Sequence, residues 1–255
     1  MPRIIVCILL ILITVVHGKL PNKIFDGHFV TENYFPYLVS VGTPIFGSCS
    51  GSIITRQHVL TSAHCVCLRR NIVETEVLVL SGTNDLLDII NGQIHDVELI
   101  ILYETYDPPR EVNDDIAILK LADPIEFTMY RRPISLPSTD HIPHGEQVMI
   151  GGWGVISLKT DFPSRYLKYI FLKILSDREC QALYPSEIDS THFCGVTPQR
   201  LGGVTQGDSG GPVVYNNEII GVITSAQDED EGPATSVFTR TWLYKSWITK
   251  VINQY

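Results

Sequence analysis

The sequence contains no internal repeat, no low-complexity tract and no long linker. What is left is a single globular unit, and 255 residues suit one large all-β domain, since such domains run to roughly 200–250 residues. Clustered cations are also missing. Lys and Arg number 19 against 28 Asp and Glu, for a formal net charge of −9. Phosphate binding needs clustered Lys and Arg, so nucleic acid is excluded as a partner. The acidic surface reads as a solubility feature. Three cations, Arg3, Lys19 and Lys23, fall in the first 23 residues, where there is no acid, and this leaves about −12 on residues 24–255. No Asn-x-Ser/Thr triplet occurs, so N-linked glycan is not expected. Beyond residue 16 there is no long uncharged apolar run, so the mature chain is expected to be soluble, with no membrane segment.

What is present begins with the N-terminus. Arg3 supplies a short basic start, Ile4 to Val16 is nearly unbroken apolar sequence, and Val16-His17-Gly18 places small or branched residues at −3 and −1 of a cut after Gly18. This is the layout of a cleaved signal peptide over residues 1–18, which implies secretion. The alternative is an uncleaved anchor, but the run falls short of the roughly 20 residues that a membrane span needs. Of six cysteines, Cys7 leaves with that segment, and Cys49, Cys65, Cys67, Cys180 and Cys194 remain. An oxidising compartment favours disulfides, and an odd number leaves at least one thiol outside them. Zinc at His64-Cys65-Val66-Cys67 is the rival reading. Cys-x-Cys is the wrong spacing for a finger, however, and no second ligand pair is placed to complete a site. No metal and no cofactor are expected.

Short runs rich in Val, Ile, Leu and Tyr alternate with Gly, Pro, Asn and Asp. They include Tyr37–Val41, Gly51–Ile54, His58–Ser62, Val77–Ser81, Ile116–Leu119, Gln147–Ile150, Pro212–Tyr215, Ile219–Thr224 and Ser236–Thr239. Many short strands with frequent turns predict an all-β barrel or sandwich. Near the C-terminus, Leu243, Trp247, Ile248, Val251 and Ile252 share one helical face. Ser176 and Glu179 have capping-box spacing and predict a short helix over Ser176–Leu183.

Three motifs carry chemistry. In Gly207-Asp208-Ser209-Gly210-Gly211-Pro212, a serine sits in a turn whose glycines leave backbone N–H groups free to face a bound carbonyl. A serine hydroxyl needs a base to take its proton and donors to hold the oxyanion that forms. In Thr61-Ser62-Ala63-His64-Cys65, the histidine is a candidate base, because its unperturbed pKa lies near 6.5. In Asn113-Asp114-Asp115-Ile116, an acid opening an apolar strand is carried inward, where it can accept from an imidazole N–H and fix its tautomer. Each has an ordinary alternative: a Gly-rich hairpin, a surface or core histidine, a turn aspartate. Together they fall in the chain order His, Asp, Ser, which is the chymotrypsin order.

On these motifs the sequence resembles the trypsin-like serine peptidases, over Ile24 to the C-terminus. The resemblance implies two six-stranded antiparallel β-barrels with a C-terminal α-helix and the active site between the barrels. It makes Ser209 the nucleophile, His64 the general base and Asp115 its orienting acid, with the backbone amides of Gly207 and Ser209 as the oxyanion hole. Gly151-Gly152-Trp153-Gly154 is similar to the segment that opens the family's second half. Two disulfides are implied, Cys49 with Cys65 and Cys180 with Cys194, and Cys67 has no family partner. The family's calcium-loop pattern is not evident between Leu68 and Leu80.

The resemblance also implies a zymogen. Lys23-Ile24 matches the activation junction, so residues 19–23 form a short propeptide, residues 24–255 form the peptidase domain, and a trypsin-like protease is the activator. The freed Ile24 ammonium would pair with Asp208, since either buried charge alone is costly. Phe25 and Asp26 depart from the family's usual residues. So does the specificity pocket. Gly203 stands where trypsins carry an aspartate, and Ala226 and Ser236 stand where glycines are common. Thr205 and Glu229 replace the cysteines of the pocket disulfide. Ser225 replaces a tryptophan, and Thr224 replaces a serine that binds the triad aspartate. An uncharged floor implies aromatic or small apolar substrates. The acidic run Asp228-Glu229-Asp230-Glu231 keeps basic ones open. The expected function is a secreted, monomeric serine endopeptidase acting on proteins or peptides, with protein inhibitors as further partners. A catalytically inactive homologue with a binding role is the alternative from another class. A non-peptidase hydrolase is disfavoured, because the Ser-Asp-His chain order of the α/β-hydrolases is absent.

Overall fold

A computed structural model of the chain describes residues 27–31, 34–43, 47–69, 72–108, 112–157, 160–184, 188–198, 203–227 and 234–255. A short strand, β1 (His28–Phe29), leads into six strands: β2 (Leu38–Thr43), β3 (Gly47–Ile53), β4 (His58–Thr61), β5 (Leu78–Ser81), β6 (Gln93–Leu102) and β7 (Ala117–Leu121). They close a barrel in the order β2-β3-β4-β7-β6-β5. A second set follows: β8 (Gln147–Gly152), β9 (Lys168–Ile174), β10 (His192–Val196), β11 (Pro212–Tyr215), β12 (Glu218–Gln227) and β13 (Thr235–Arg240). Their order is β9-β8-β11-β12-β13-β10, and pairing of β10 with β9 closes the ring, with β1 added outside β9. Numbered within each half, both barrels run 1-2-3-6-5-4, so one topology is used twice. Helix α1 (Asp177–Leu183) precedes β10, and helix α2 (Thr241–Gln254) ends the chain. The two six-stranded antiparallel barrels and the terminal helix are those expected.

Alternation along the strands sorts most side chains into a core in each barrel and a cluster between them, with a smaller fourth cluster of Leu175, Cys180, Tyr184, Cys194 and Val237. On β7, Ala117, Leu119 and Leu121 point into the first barrel, while Ile118 joins a cluster between the barrels. On β4, Val59 faces inward and Leu60 joins that same middle cluster. On β12, Ile223 lies in the second barrel's core and Val222 in the middle one. Strands buried on both faces read as continuous apolar runs, which is why these were legible in the sequence. Leu60, Ile118 and Val222 are fully buried, and each contributes about 1.5–3 kcal/mol. They hold the barrel faces together, and the residues expected to be catalytic lie along the same seam.

The helices differ in how well the sequence placed them. Ser176 caps α1 in a full capping box, with its Oγ accepting from the Glu179 N–H and the Glu179 carboxylate accepting from the Ser176 N–H. In α2 the buried face is Thr241, Tyr244, Ile248 and Val251. Leu243, expected on that face, is 44% exposed, whereas Tyr244, one position on, packs into the middle cluster. The β11–β12 hairpin turns on Asn216 and Asn217, both at positive φ, as a tight two-residue hairpin requires. The disulfides Cys49–Cys65 and Cys180–Cys194 are both formed. Cys67 is buried and lies outside them.

Candidate active site

His64 comes from a single 3-10 turn, Ala63–Cys65, that continues β4. Two tethers fix this turn. The Cys49–Cys65 disulfide ties it to β3, and the Ser62 hydroxyl donates across the seam to the Ile223 carbonyl at 2.7 Å. The imidazole is 29% exposed on its side-chain surface and Asp115 is fully buried. Asp115 Oδ1 accepts from the His64 backbone N–H at 2.8 Å, and Oδ2 lies 2.7 Å from His64 Nδ1. An ionised carboxylate can only accept, so it holds the imidazole proton on Nδ1 and leaves Nε2 as the basic nitrogen.

Asp115 is also held from the second barrel. Thr224 on β12 donates its hydroxyl to Oδ2 at 2.5 Å, and Thr239 on β13 donates to the Asp115 carbonyl at 3.3 Å. The two hydroxyls lie 3.0 Å apart. The Thr224 hydroxyl is thus turned to the aspartate. The preceding residue, Asp114, has φ 55°, uncommon for a residue with a Cβ. Its carboxylate accepts from Thr105 Oγ1 at 2.5 Å and from the Tyr244 hydroxyl at 2.7 Å. Burial and this bond to Asp114 raise the Tyr244 hydroxyl pKa. The backbone twist that delivers Asp115 into the seam is therefore locked by its neighbour's side chain. No sequence signal marked that role.

The serine turn packs against the histidine turn. Gly207 and Gly210 have φ 104° and 80°. A Cβ on Gly210 would overlap Thr61 Oγ1 and the Ser50 carbonyl oxygen, so only glycine lets the turn approach β3 and β4 so closely. The Ser209 carbonyl accepts from the Ser50 N–H at 2.8 Å and lies 3.6 Å from Cys65 Sγ. Among the described residues, the turn's bonded amides are those of Asp208, Gly210 and Gly211, and those of Gly207 and Ser209 are not among them.

Asp208 is 3% exposed. Its oxygens accept from the Gly154 N–H at 2.8 Å and the Thr205 N–H at 2.9 Å. A Cβ on Gly152 or Gly154 would overlap this carboxylate, which explains the glycines around Trp153. Burial pushes the Asp208 carboxyl up to about 6, against the pull of its amide donors and of Lys168. Lys168 stands opposite Gly152 across the β8–β9 ladder, is 3% exposed, and holds its ammonium 4.9 Å from the centre of the Phe29 ring. Burial lowers its pKa, and Asp208 opposes that.

The expected pocket positions are partly assembled. Ala226 and Ser236 are paired across β12 and β13, and Ser236 also faces Gly195 on β10. Gly203 and Thr205 are buried. The Ser236 hydroxyl is fully buried with no hydrogen-bond partner among the described residues. Ile24 and the acidic run from Asp228 to Glu231 lie outside the described residues. The one described group of potential metal ligands is Cys49, His64 and Cys65. Its two sulfurs are joined to each other, so no thiolate pair is available for zinc. No helix among the described residues is long and apolar enough to cross a membrane.

The comparisons agree with this geometry. The family profile described as Trypsin matches residues 24–248. Trypsin II-P29 of Gallus gallus is 32% identical over 241 residues, covering 93% of this chain and 92% of its own length. Serine protease 1 of Homo sapiens is 32% identical over 234 residues, covering 91% and 90%. Trypsin-3 of Salmo salar is 29% identical over 234 residues, covering 91% and 94%. With the profile matched over most of its length and the paired barrels in place, the chain belongs to the trypsin family and is a serine-type endopeptidase.

Proposed function

We propose that the protein is a secreted zymogen that hydrolyses peptide bonds through Ser209, His64 and Asp115, with a preference for apolar residues before the scissile bond. The observation that carries the reading is the His64–Asp115 pair, bonded at both the ring and the backbone, beside a Gly-flanked serine turn. His64 Nε2 takes the Ser209 proton as Oγ attacks the peptide carbonyl. The Gly207 and Ser209 amides receive the oxyanion. The imidazolium then protonates the leaving amine, an acyl-enzyme remains, and water repeats the sequence to release the acid.

Residues 1–18 are the export signal and residues 19–23 the propeptide, removed by a trypsin-like protease cutting after Lys23. The new Ile24 ammonium neutralises Asp208, whose carboxyl is buried and held up to about 6 before that pairing. Gly203 leaves no carboxylate to pair with a basic side chain, and Ala226 and Ser236 narrow the walls. Aromatic or small aliphatic residues are therefore favoured over Lys and Arg. Protein inhibitors that present such a residue would bind as substrates do.

The test is to cut the purified precursor with trypsin and profile it on a peptide library, with Ser209→Ala as control. Cleavage after apolar residues and labelling by a serine-directed phosphonate are expected. Cleavage after Lys or Arg would overturn the pocket argument. Neither cleavage nor labelling would support the inactive-homologue reading instead.

A further inference from the structure

Ser50 bonds the first barrel to the serine turn twice. It sits on β3 and is fully buried. Its backbone N–H donates to the Ser209 carbonyl at 2.8 Å, and its hydroxyl donates to the Gly207 carbonyl at 3.0 Å. Its own carbonyl accepts from Thr61 Oγ1 at 2.8 Å. One residue therefore grips the turn on both sides of Asp208 and is itself anchored to the strand that leads into His64. The hydroxyl bond does not follow from burial alone. Ser52, two residues on along β3, is equally buried, and its hydroxyl has no partner among the described residues.

We propose that Ser50 is a positioning residue for the oxyanion hole, acting through the Gly207 carbonyl. The inference rests on the peptidase reading above. Gly207 has no side chain and sits at φ 104°, so nothing intrinsic to it fixes the direction of its peptide planes. Its N–H and that of Ser209 are outside the turn's own hydrogen bonds. Their direction depends on what grips the turn around them. Asp208 anchors it from the second barrel, through Gly154 and Thr205. Ser50 anchors it from the first. Removing the hydroxyl leaves the Gly207 carbonyl buried without that donor and the Gly207–Asp208 peptide held only through its Asp208 N–H to the Thr205 carbonyl, so the turn on either side of it is less firmly fixed. The amides then point at the oxyanion for a smaller share of the time. The loss falls on the transition state, because ground-state binding makes little use of those donors.

Ser50→Ala keeps the backbone bond and removes only the hydroxyl. In the trypsin-cut enzyme, kcat is expected to fall roughly 3–10-fold with KM within about twofold, as suits a neutral hydrogen bond felt through a donor pair. The inhibition constant of a peptide boronate, which forms a tetrahedral adduct, should weaken by the same factor. That of the cleaved product peptide should not change. A purely structural role would lower Tm and leave both ratios alone at 25 °C. Ser50→Gly, smaller still, serves if Ser50→Ala folds poorly. Wild-type labelling by a serine-directed phosphonate comes first, and its absence would defeat the peptidase reading itself. With wild type labelled, unchanged kcat and boronate affinity in the Ser50 variants would overturn the positioning role.

Discussion

Asp115 Oδ2 receives the Thr224 hydroxyl at 2.5 Å and lies 2.7 Å from His64 Nδ1, so a single oxygen is shared by donors from the two barrels. The aspartate is fully buried, and water cannot replace either donor. Thr224→Val removes one bond to a charged group while conserving volume, and such a bond contributes about 1.5–3 kcal/mol. The expected result is a fall in kcat of roughly 10–100-fold with little change in KM. Thr224→Ser keeps the hydroxyl and should stay near wild type. Steady-state kinetics on one apolar peptide substrate separate the two, and equal activity of Thr224→Val and wild type would refute the role.

How far the sequence reaches is visible in these same residues. His64, Asp115 and Ser209 stand out in the sequence because each lies in a short motif whose chemistry depends on its immediate neighbours. The strands around them stand out where burial on both faces produced short apolar runs, as in Ala117–Leu119 of β7 and Ile219–Ile223 of β12. Strands β6 and β9 stand out less, because polar residues break into them, at Gln93, His95, Asp96 and Glu98 on β6 and at Lys168 and Lys173 on β9. On β6, His95 is buried against the Ser81 hydroxyl at 2.8 Å, which inverts the usual inside–outside pattern. The supporting contacts were illegible for another reason. Ser50 and Gly207 are 157 positions apart, and Thr224 and Asp115 are 109 apart. Only barrel closure and docking bring them together, and no local pattern encodes that. Leu243 was misplaced because a helical period defines a stripe but not which edge of the stripe meets the core.

Asp208 makes the uncleaved chain sensitive to pH. Its carboxyl is raised to about 6 in the fold, against an ordinary 3.8. Between those values the folded chain holds a proton that the unfolded chain releases, so stability falls as pH rises. The contribution is fully present below about 3.8 and lost through about 6, on the order of 3 kcal/mol. An uncleavable Lys23→Gln precursor should therefore lose thermal stability from pH 4 to 6.5, and Asp208→Asn should remove that part of the loss. Half-buried carboxylates held low, such as Asp85 and Glu218, act in the opposite direction at lower pH. The difference between the two precursors therefore carries the test. Parallel curves would show that Asp208 is not the group responsible.

Gly154→Ala should uncouple cleavage from activation. The added Cβ would overlap both Asp208 Oδ2 and Thr205 Oγ1, and neither has free space to retreat into. The carboxylate has to leave its cradle, and a displacement of this kind costs about 1–3 kcal/mol. Trypsin should still cut after Lys23, as read by N-terminal sequencing. Phosphonate labelling of the cut chain should nevertheless fall at least 10-fold. Normal labelling after complete cleavage would mean that the Asp208 cradle does not control the serine turn.

Ser236 gives the sharpest test of specificity. Its hydroxyl is fully buried and without a partner among the described residues, a state that costs about 1–3 kcal/mol. Ser236→Gly removes that unsatisfied group and opens space across from Ala226, its neighbour on β12. Stability should therefore change little, because relief of the orphaned hydroxyl offsets the entropy cost of a strand glycine, about 0.5–1 kcal/mol. The ratio of kcat/KM for Phe over Ala before the scissile bond should rise about 10-fold or more, since methylene-sized changes in a pocket are worth about 1–3 kcal/mol. Gly203 would still provide no counter-ion, so cleavage after Lys should not improve with it. If the Phe-to-Ala ratio stays fixed, Ser236 does not bound the pocket. If Lys cleavage rises together with Phe, depth rather than the missing charge at Gly203 is what excludes basic side chains.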